Sequence, residues 1–161
     1  MSAARAKNYI NVSEIRISQD DLTLETVLGS SIAVCLWDGK SLTGGIIHIL
    51  LPKGPEGKVK EQGKYADTGL PCLVSKMIES GCDHKVLVAK ILGGSSAFSD
   101  DWDNSLGARN YHTTKKTLEQ MKIPIVFEDI GGKTGRHIFF STINGEVEVV
   151  CLSKRRTNCN A

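Results

Sequence analysis

Two apolar stretches, residues 31–37 and 42–50, are rich in Ile, Val and Leu and flank the polar tetrapeptide Asp38-Gly39-Lys40-Ser41. Short apolar runs bounded by turn residues predict a β-hairpin, with Gly39 suited to the first central position of a two-residue type II′ loop. With Gly39 and Lys40 as that loop, paired residues have numbers summing to 79, and Ser31 stands opposite His48. Directly opposed residues of an antiparallel pair share a face, with Cβ atoms roughly 4.5–5.5 Å apart, so the register predicts a hydroxyl nucleophile beside an imidazole base. An odd-length loop or a bulge would offset the pair. The plainer alternative is a turn serine and a histidine satisfied within the sheet. Upstream, alternation over residues 22–28 puts Leu22, Leu24, Thr26 and Leu28 on one face. Thr26 interrupts that apolar face, and a buried hydroxyl needs a partner. An imidazole nitrogen of the neighbouring hairpin is one candidate, and would fix the tautomer of His48; a backbone carbonyl is the other.

The same patterning organises the rest of the chain. Residues 9–17 show broken alternation and read as a first strand, and residues 53–64 form a polar loop with four lysines. Leu70, Leu73, Val74, Met77 and Ile78 recur at helical spacing, with Gly81 at the exit as a cap and Pro71 acceptable in a first turn. Residues 86–92 read as a short buried strand ended by Gly93-Gly94. Asn104 or Ser105 is placed to cap a second helix running to about Lys122, ahead of Pro124. Strands follow at 123–130 and 137–142, and Asn144-Gly145 predicts a type I′ turn into a last strand at 146–152. Seven or eight strands, two helices and hairpins instead of regular βαβ alternation define an α+β class.

Length and charge bound the function more than they identify it. At 161 residues the chain fits one domain, 1–161, with residues 1–7 and 154–161 expected as loose termini. A net charge of +2 with 24% charged residues provides no strongly basic face apart from Lys154-Arg155-Arg156, so neither a nucleic-acid partner nor membrane insertion is expected. There is no apolar run of transmembrane length and no signal-like N-terminal segment, which predicts a cytoplasmic protein. The cysteines at 35, 72, 82, 151 and 159 are odd in number and irregularly spaced, a pattern of free thiols more than of a disulfide framework. Cys82-Asp83-His84 lacks a second ligand pair, so no metal or other cofactor is expected. Gly131-Gly132-Lys133-Thr134 fails as a phosphate loop: Phe127 stands where a glycine is required, and a strand pattern follows in place of a helix.

Several blocks carry a resemblance. They are Thr26-Val-Leu-Gly-Ser-Ser-Ile-Ala-Val-Cys-Leu-Trp-Asp38, Gly44-Gly-Ile-Ile-His-Ile-Leu-Leu-Pro52, Gly63-Lys-Tyr-Ala-Asp-Thr68, Gly93-Gly-Ser-Ser-Ala-Phe98, Leu106-Gly-Ala-Arg-Asn110 and Glu128-Asp-Ile-Gly-Gly132. In this order, across about residues 12–150, the chain resembles the CheD family of chemoreceptor glutamine deamidases. The resemblance implies a strand-rich, sandwich-like core flanked by two helices, and an enzyme that converts receptor glutamines to glutamates with ammonia release during chemotactic adaptation. It implies methyl-accepting chemotaxis receptors as partners, and a CheC-type phosphatase as a further candidate. In that family a Cys after Gly-Ser is the nucleophile, a His of the second strand its base, and a Thr before Leu-Gly-Ser completes the site. Here those positions are Ser31, His48 and Thr26, with Glu25 or Thr23 in place of Thr26 if the strand is offset.

Ser31 is the departure, and it points either to a substitution that traps an inactive enzyme or to a natural member with weakened chemistry. Cys35 is no replacement, lying about 13 Å along the strand. The backbone around Gly29 and Ser30 supplies candidate oxyanion donors. The Gly93-Gly94 block and Arg109-Asn110 have either local structural roles or site roles. The reading from a different class is a non-catalytic chemotaxis protein that binds receptors or a CheC-type partner.

Overall fold

The computed structural model describes residues 7–152, so the terminal segments expected at 1–7 and 154–161, with Lys154-Arg155-Arg156 and Cys159, lie almost wholly outside the described residues. Eight strands are present among the described residues: β1 Ile15–Ser18, β2 Thr23–Leu28, β3 Ile32–Asp38, β4 Thr43–Ile49, β5 Val88–Gly93, β6 Ile125–Ile130, β7 Arg136–Ser141 and β8 Val147–Cys151. Two helices accompany them, α1 Ala66–Glu79 and α2 Leu106–Gln120. The strands form a five-stranded sheet, β1-β4-β3-β5-β6, and a three-stranded sheet, β2-β7-β8. The fold is α+β with a strand-rich core.

The continuous apolar character of β3 and β4 follows from their central place. One face of β3 (Ile32, Val34, Leu36) packs with Ile47 and Ile49 of β4 against helix residues such as Leu70, Leu73 and Met77. Its other face (Ala33, Cys35) packs with Ile46 against Leu24, Leu28, Ile138 and Phe140 of the small sheet. A strand covered on both sides has no solvent face to mark with polar residues. The small sheet has a covered and an open side, so β2 keeps clean alternation, with Leu24, Thr26 and Leu28 buried and Thr23 and Val27 exposed.

Several boundaries differ from the sequence expectations. The first strand occupies only Ile15–Ser18, while Tyr9 makes an isolated bridge to Glu25. Helix α1 begins at Ala66, so Pro71 falls in the second turn, and Ile78 is exposed. Pro71 removes one helical N–H, a loss that the buried side of α1, with Leu70, Leu73 and Met77, outweighs. The exit is as expected: Gly81 has φ +103°, its N–H donates to the Ile78 carbonyl, and Cys82 N–H donates to Met77, the paired bonds of a Schellman cap. Helix α2 is capped by Ser105, whose Oγ accepts from Ala108 N–H at 3.1 Å. The β7–β8 connection is a longer loop closed by Gly145 N–H donating to Ser141 O; Asn144 lacks the positive φ that a type I′ turn requires.

The hairpin register is corrected by two residues. Asp38 pairs with Thr43 and Ala33 with His48, so paired numbers sum to 81. The cause is the Asp38 carboxylate, which accepts from Lys40 N–H at 2.8 Å and Ser41 N–H at 2.9 Å and organises a four-residue loop ending at Leu42 with φ +53°. Because side chains alternate with period two, an even shift keeps every residue on its face. Ser31 and His48 become diagonal instead of opposed, and still point the same way.

Cys35, Cys72 and Cys82 are free thiols, as expected, but Cys151 is disulfide-bonded.

Candidate active site

The site lies where β3 and β4 leave the five-stranded sheet, on the face that meets the small sheet. His48 Nε2 is 2.9 Å from Ser31 Oγ, and His48 Nδ1 is 2.8 Å from Thr26 Oγ1. Thr26 Oγ1 donates to the Ile10 carbonyl at 2.7 Å. A carbonyl only accepts, so the single Thr26 proton goes to Ile10, and the His48 bond must come from Nδ1–H. Nε2 is then the lone-pair nitrogen and accepts from the Ser31 hydroxyl. The chain of bonds thus fixes one tautomer and turns the Nε2 lone pair toward the Ser31 hydroxyl. The Thr26 alternatives seen from the sequence converge, because one hydroxyl meets both the imidazole and a backbone carbonyl.

All three side chains are buried, Thr26 at 0%, His48 at 3% and Ser31 at 7% exposure. Burial holds the His48 imidazole below its ordinary pKa, with the Ile10 carbonyl partly opposing that. A lowered histidine keeps its neutral form near neutral pH and is available as a base. Cys35 is buried among apolar side chains, and burial pushes its thiol well above the ordinary value, so it is no substitute nucleophile.

The turn carrying Ser31 is held from behind through its carbonyls. Gly94 N–H donates to Ser31 O and Ser95 N–H to Gly29 O, each at 2.9 Å, and Asn110 Nδ2 donates to Ser30 O at 2.9 Å. The Gly93-Gly94 block therefore meets the site with its backbone. Gly94 is held in turn by the Trp102 indole, which donates to its carbonyl at 2.7 Å. Arg109 is exposed and donates to Asn104 O, a local contact, whereas Asn110 is fully buried against the turn. The sequence singled out the Arg-Asn pair without separating its members. The signal available was position: at helical spacing Asn110 lies between Gly107 and Thr114 on the buried side, and Arg109 does not.

A cleft of about 590 Å³ opens beside the turn, lined by Gly29, Ser30, Ser95, Phe98 and Leu106 among others. Phe98 at its rim is fully exposed. Ser31, His48 and Thr26 do not line the cleft; Ser31 follows directly in the chain on Gly29 and Ser30, which do. Among the described residues no cluster of three His, Cys, Asp or Glu side chains is placed to hold a metal ion, and no helix is long and apolar enough to cross a membrane.

Two expectations follow from the hydrogen-bond chain. Thr26→Val removes the acceptor of His48 Nδ1–H and the hydroxyl that donates to the Ile10 carbonyl, at a cost of about 1–3 kcal/mol. Long-range ¹H–¹⁵N spectra should change from a single Nδ1–H tautomer to a mixture; an unchanged tautomer would show that Thr26 does not fix it. For pH, the lowered folded pKa means that the unfolded chain takes up the His48 proton first. Its contribution to stability is complete above the ordinary value of about 6.5 and is lost as pH falls toward the folded value. Urea midpoints between pH 8 and 5 should fall less steeply for His48→Gln than for the unsubstituted chain.

The architecture and the site together define an α+β sandwich protein with a hydroxyl–imidazole–hydroxyl array at one end of its sheet interface. The family described as CheD chemotactic sensory transduction matches residues 50–150. The chain is 34% identical over 141 residues to the probable chemoreceptor glutamine deamidase CheD of Methanococcus vannielii, covering 87% of this chain and 92% of that one. It is 35% identical over 151 residues to the protein of that name from Clostridium acetobutylicum, covering 86% and 91%. For the Clostridium botulinum protein of that name the identity is 37% over 146 residues, covering 87% and 90%. The chain belongs to the CheD family. A solved structure, the hypothetical protein YfiH of Bacillus licheniformis, is similar at TM-score 0.49 and 13% identity over 71% of this chain and 49% of that one, too weak a likeness to add to the assignment.

Proposed function

We propose that the chain hydrolyses the side-chain amide of particular glutamines on methyl-accepting chemotaxis receptors, with Ser31 as the attacking group, His48 as base and Thr26 as the residue that orients it. The observation that carries this reading is the continuous chain Ser31–His48–Thr26–Ile10, with bonds of 2.9, 2.8 and 2.7 Å, beside a cleft in a member of a family whose relatives are named for this reaction.

In the first step Ser31 Oγ attacks the amide carbon while its proton passes to His48 Nε2. The carbonyl oxygen becomes an oxyanion. The carbonyls of Gly29, Ser30 and Ser31 are all turned toward the protein, which leaves the N–H groups of this turn as the candidate donors to it. His48 then returns the proton to the departing nitrogen, ammonia leaves, and the substrate carbonyl remains as an ester on Ser31. Water attacks that ester as His48 takes its proton. The C–O bond to Ser31 breaks, the hydroxyl regains a proton, and the product is glutamate.

A hydroxyl loses its proton only during attack, whereas a cysteine beside a histidine rests as thiolate and imidazolium. Ser31 therefore makes a slow enzyme where the family resemblance places a cysteine. That same substitution favours a second reading, a non-catalytic protein that binds receptors or a CheC-type phosphatase. Ammonia release from a glutamine-bearing receptor fragment, compared for the unsubstituted chain and Ser31→Cys, separates them. Release by either chain that depends on His48 supports the enzyme; none from both, with the fragment still bound, supports the binding module.

A further inference from the structure

We infer that Asn110 is a positioning residue that clips the two segments carrying Ser31 and His48 together, and so sets the direction of the Ser31 N–H. The inference deepens the proposed function and rests on it for its catalytic consequence. The geometry stands alone. One side-chain amide group of Asn110 donates to Ser30 O at 2.9 Å and to Leu50 O at 3.1 Å. Ser30 immediately precedes Ser31, and Leu50 lies two residues beyond His48.

The position of these bonds in the hairpin explains their use. The β3–β4 ladder ends at Ile32 opposite Ile49, so the next residues opposed would be Ser31 and Leu50. They would be a non-hydrogen-bonded pair there, since Ser31 O accepts from Gly94 N–H and Leu50 N–H donates to Lys64 O at 2.9 Å. The next ladder bonds would join Ser30 and Leu51, but Ser30 O accepts from Asn110 and Leu51 N–H donates to Lys64 O at 3.0 Å. The strands part just where the two reacting side chains must stay in register. Asn110, held on α2 with its side chain fully buried, spans the opening with its two amide protons.

A planar trans peptide gives this clip a second effect. With Ser30 O fixed toward Asn110, the N–H of Ser31, on the opposite side of the same peptide plane, points away from Asn110. Releasing Ser30 O would let that peptide rotate and move a candidate oxyanion donor. The Asn110 Oδ1 atom is buried with no partner among the described residues, so the retained polarity of this side chain is accounted for by its donors.

The test uses the full chain with Ser31→Cys, alone and combined with Asn110→Ala or Asn110→Ser, each assayed at a temperature where circular dichroism shows it folded. Asn110→Ser retains one short donor and serves if the alanine variant does not fold. On a receptor fragment the expected result is a fall of 10- to 100-fold in kcat with KM changed less than threefold. Unchanged kcat, while His48→Ala still abolishes turnover, would overturn the role of Asn110 and leave the deamidase reading intact. If Ser31→Cys releases no ammonia, that reading fails by itself, and the clip is judged on iodoacetamide reactivity of the introduced thiol. A pH profile displaced by half a unit or more on loss of Asn110 supports the clip, and a superimposable profile overturns it.

Discussion

Ser31→Cys is expected to yield a thiol that reacts with iodoacetamide well below pH 8.5, the region where a free cysteine titrates, and a deamidase whose turnover drops at least about 10³-fold on adding His48→Ala. The hydroxyl of Ser31 already donates to Nε2 of a histidine held in the required tautomer, at 2.9 Å. Sulfur in that position gains what oxygen cannot, a thiolate stabilised by the adjacent imidazolium. Burial alone works against the ion pair, since it lowers the His48 pKa. The attraction between thiolate and imidazolium in a site of low dielectric must exceed that penalty, and the thiol titration measures the balance directly. Should the thiol titrate near 8.5 with or without His48, desolvation has won, and the site is no nucleophile–base pair. His48→Ala also removes a buried side chain, so its folded fraction must be checked by denaturant midpoint before turnover is compared.

Ser31 and His48 share a face and a bond although the hairpin register expected from the sequence is off by two residues. Two features survive such a shift: the side-chain period of a strand and the even number of residues in the loop. Asp38 forms a side-chain turn that moves the loop toward Leu42, an effect invisible to a rule based on glycine in a two-residue turn. Had the correction been odd, Ser31 and His48 would have faced opposite cores. Thr26 was legible for a related reason, as a polar residue at a position alternation marks as buried.

What the sequence could not show is long-range. Asn110 stands 80 residues from Ser30, and only the packing of α2 against the hairpin end brings them together. The same limit holds for Gly44-Gly45 of β4, to which the sequence pattern assigns no structural role. In the structure a Cβ at Gly44 would lie 2.8 Å from Thr142 Cα, and one at Gly45 would lie 2.7 Å from Met77 Sδ. These glycines let the small sheet and α1 approach β4 from opposite sides, a requirement set by elements distant in the chain.

Gly93→Ala is expected to damage both the fold and the site, by about 3 kcal/mol in stability, at the upper end of ordinary single substitutions. Gly93 has φ +107°, a conformation that L side chains rarely adopt, and an added Cβ would stand 2.3 Å from the Ser31 carbonyl oxygen. Backbone conformation alone contributes about 1–2 kcal/mol, and the contact contributes the rest because neither atom belongs to a side chain that can rotate away. Relief requires the Ser31 segment to move, and with it the hydroxyl that meets His48. Gly93 is tied on its other side, where its carbonyl accepts from Gly131 N–H at 2.9 Å, so the strain is not easily passed to β5. The urea midpoint should fall with little change in slope, and in the Ser31→Cys background the low-pH reactivity of the thiol should be lost even where the protein remains folded. Gly29→Ala provides the contrast within the same site. Nothing lies within 4 Å of a Cβ there, and its φ is outside the left-handed region, so stability should stay within about 0.5 kcal/mol. Equal destabilisation by the two substitutions would show that the turn is not held by backbone contact with Gly93 in the manner described.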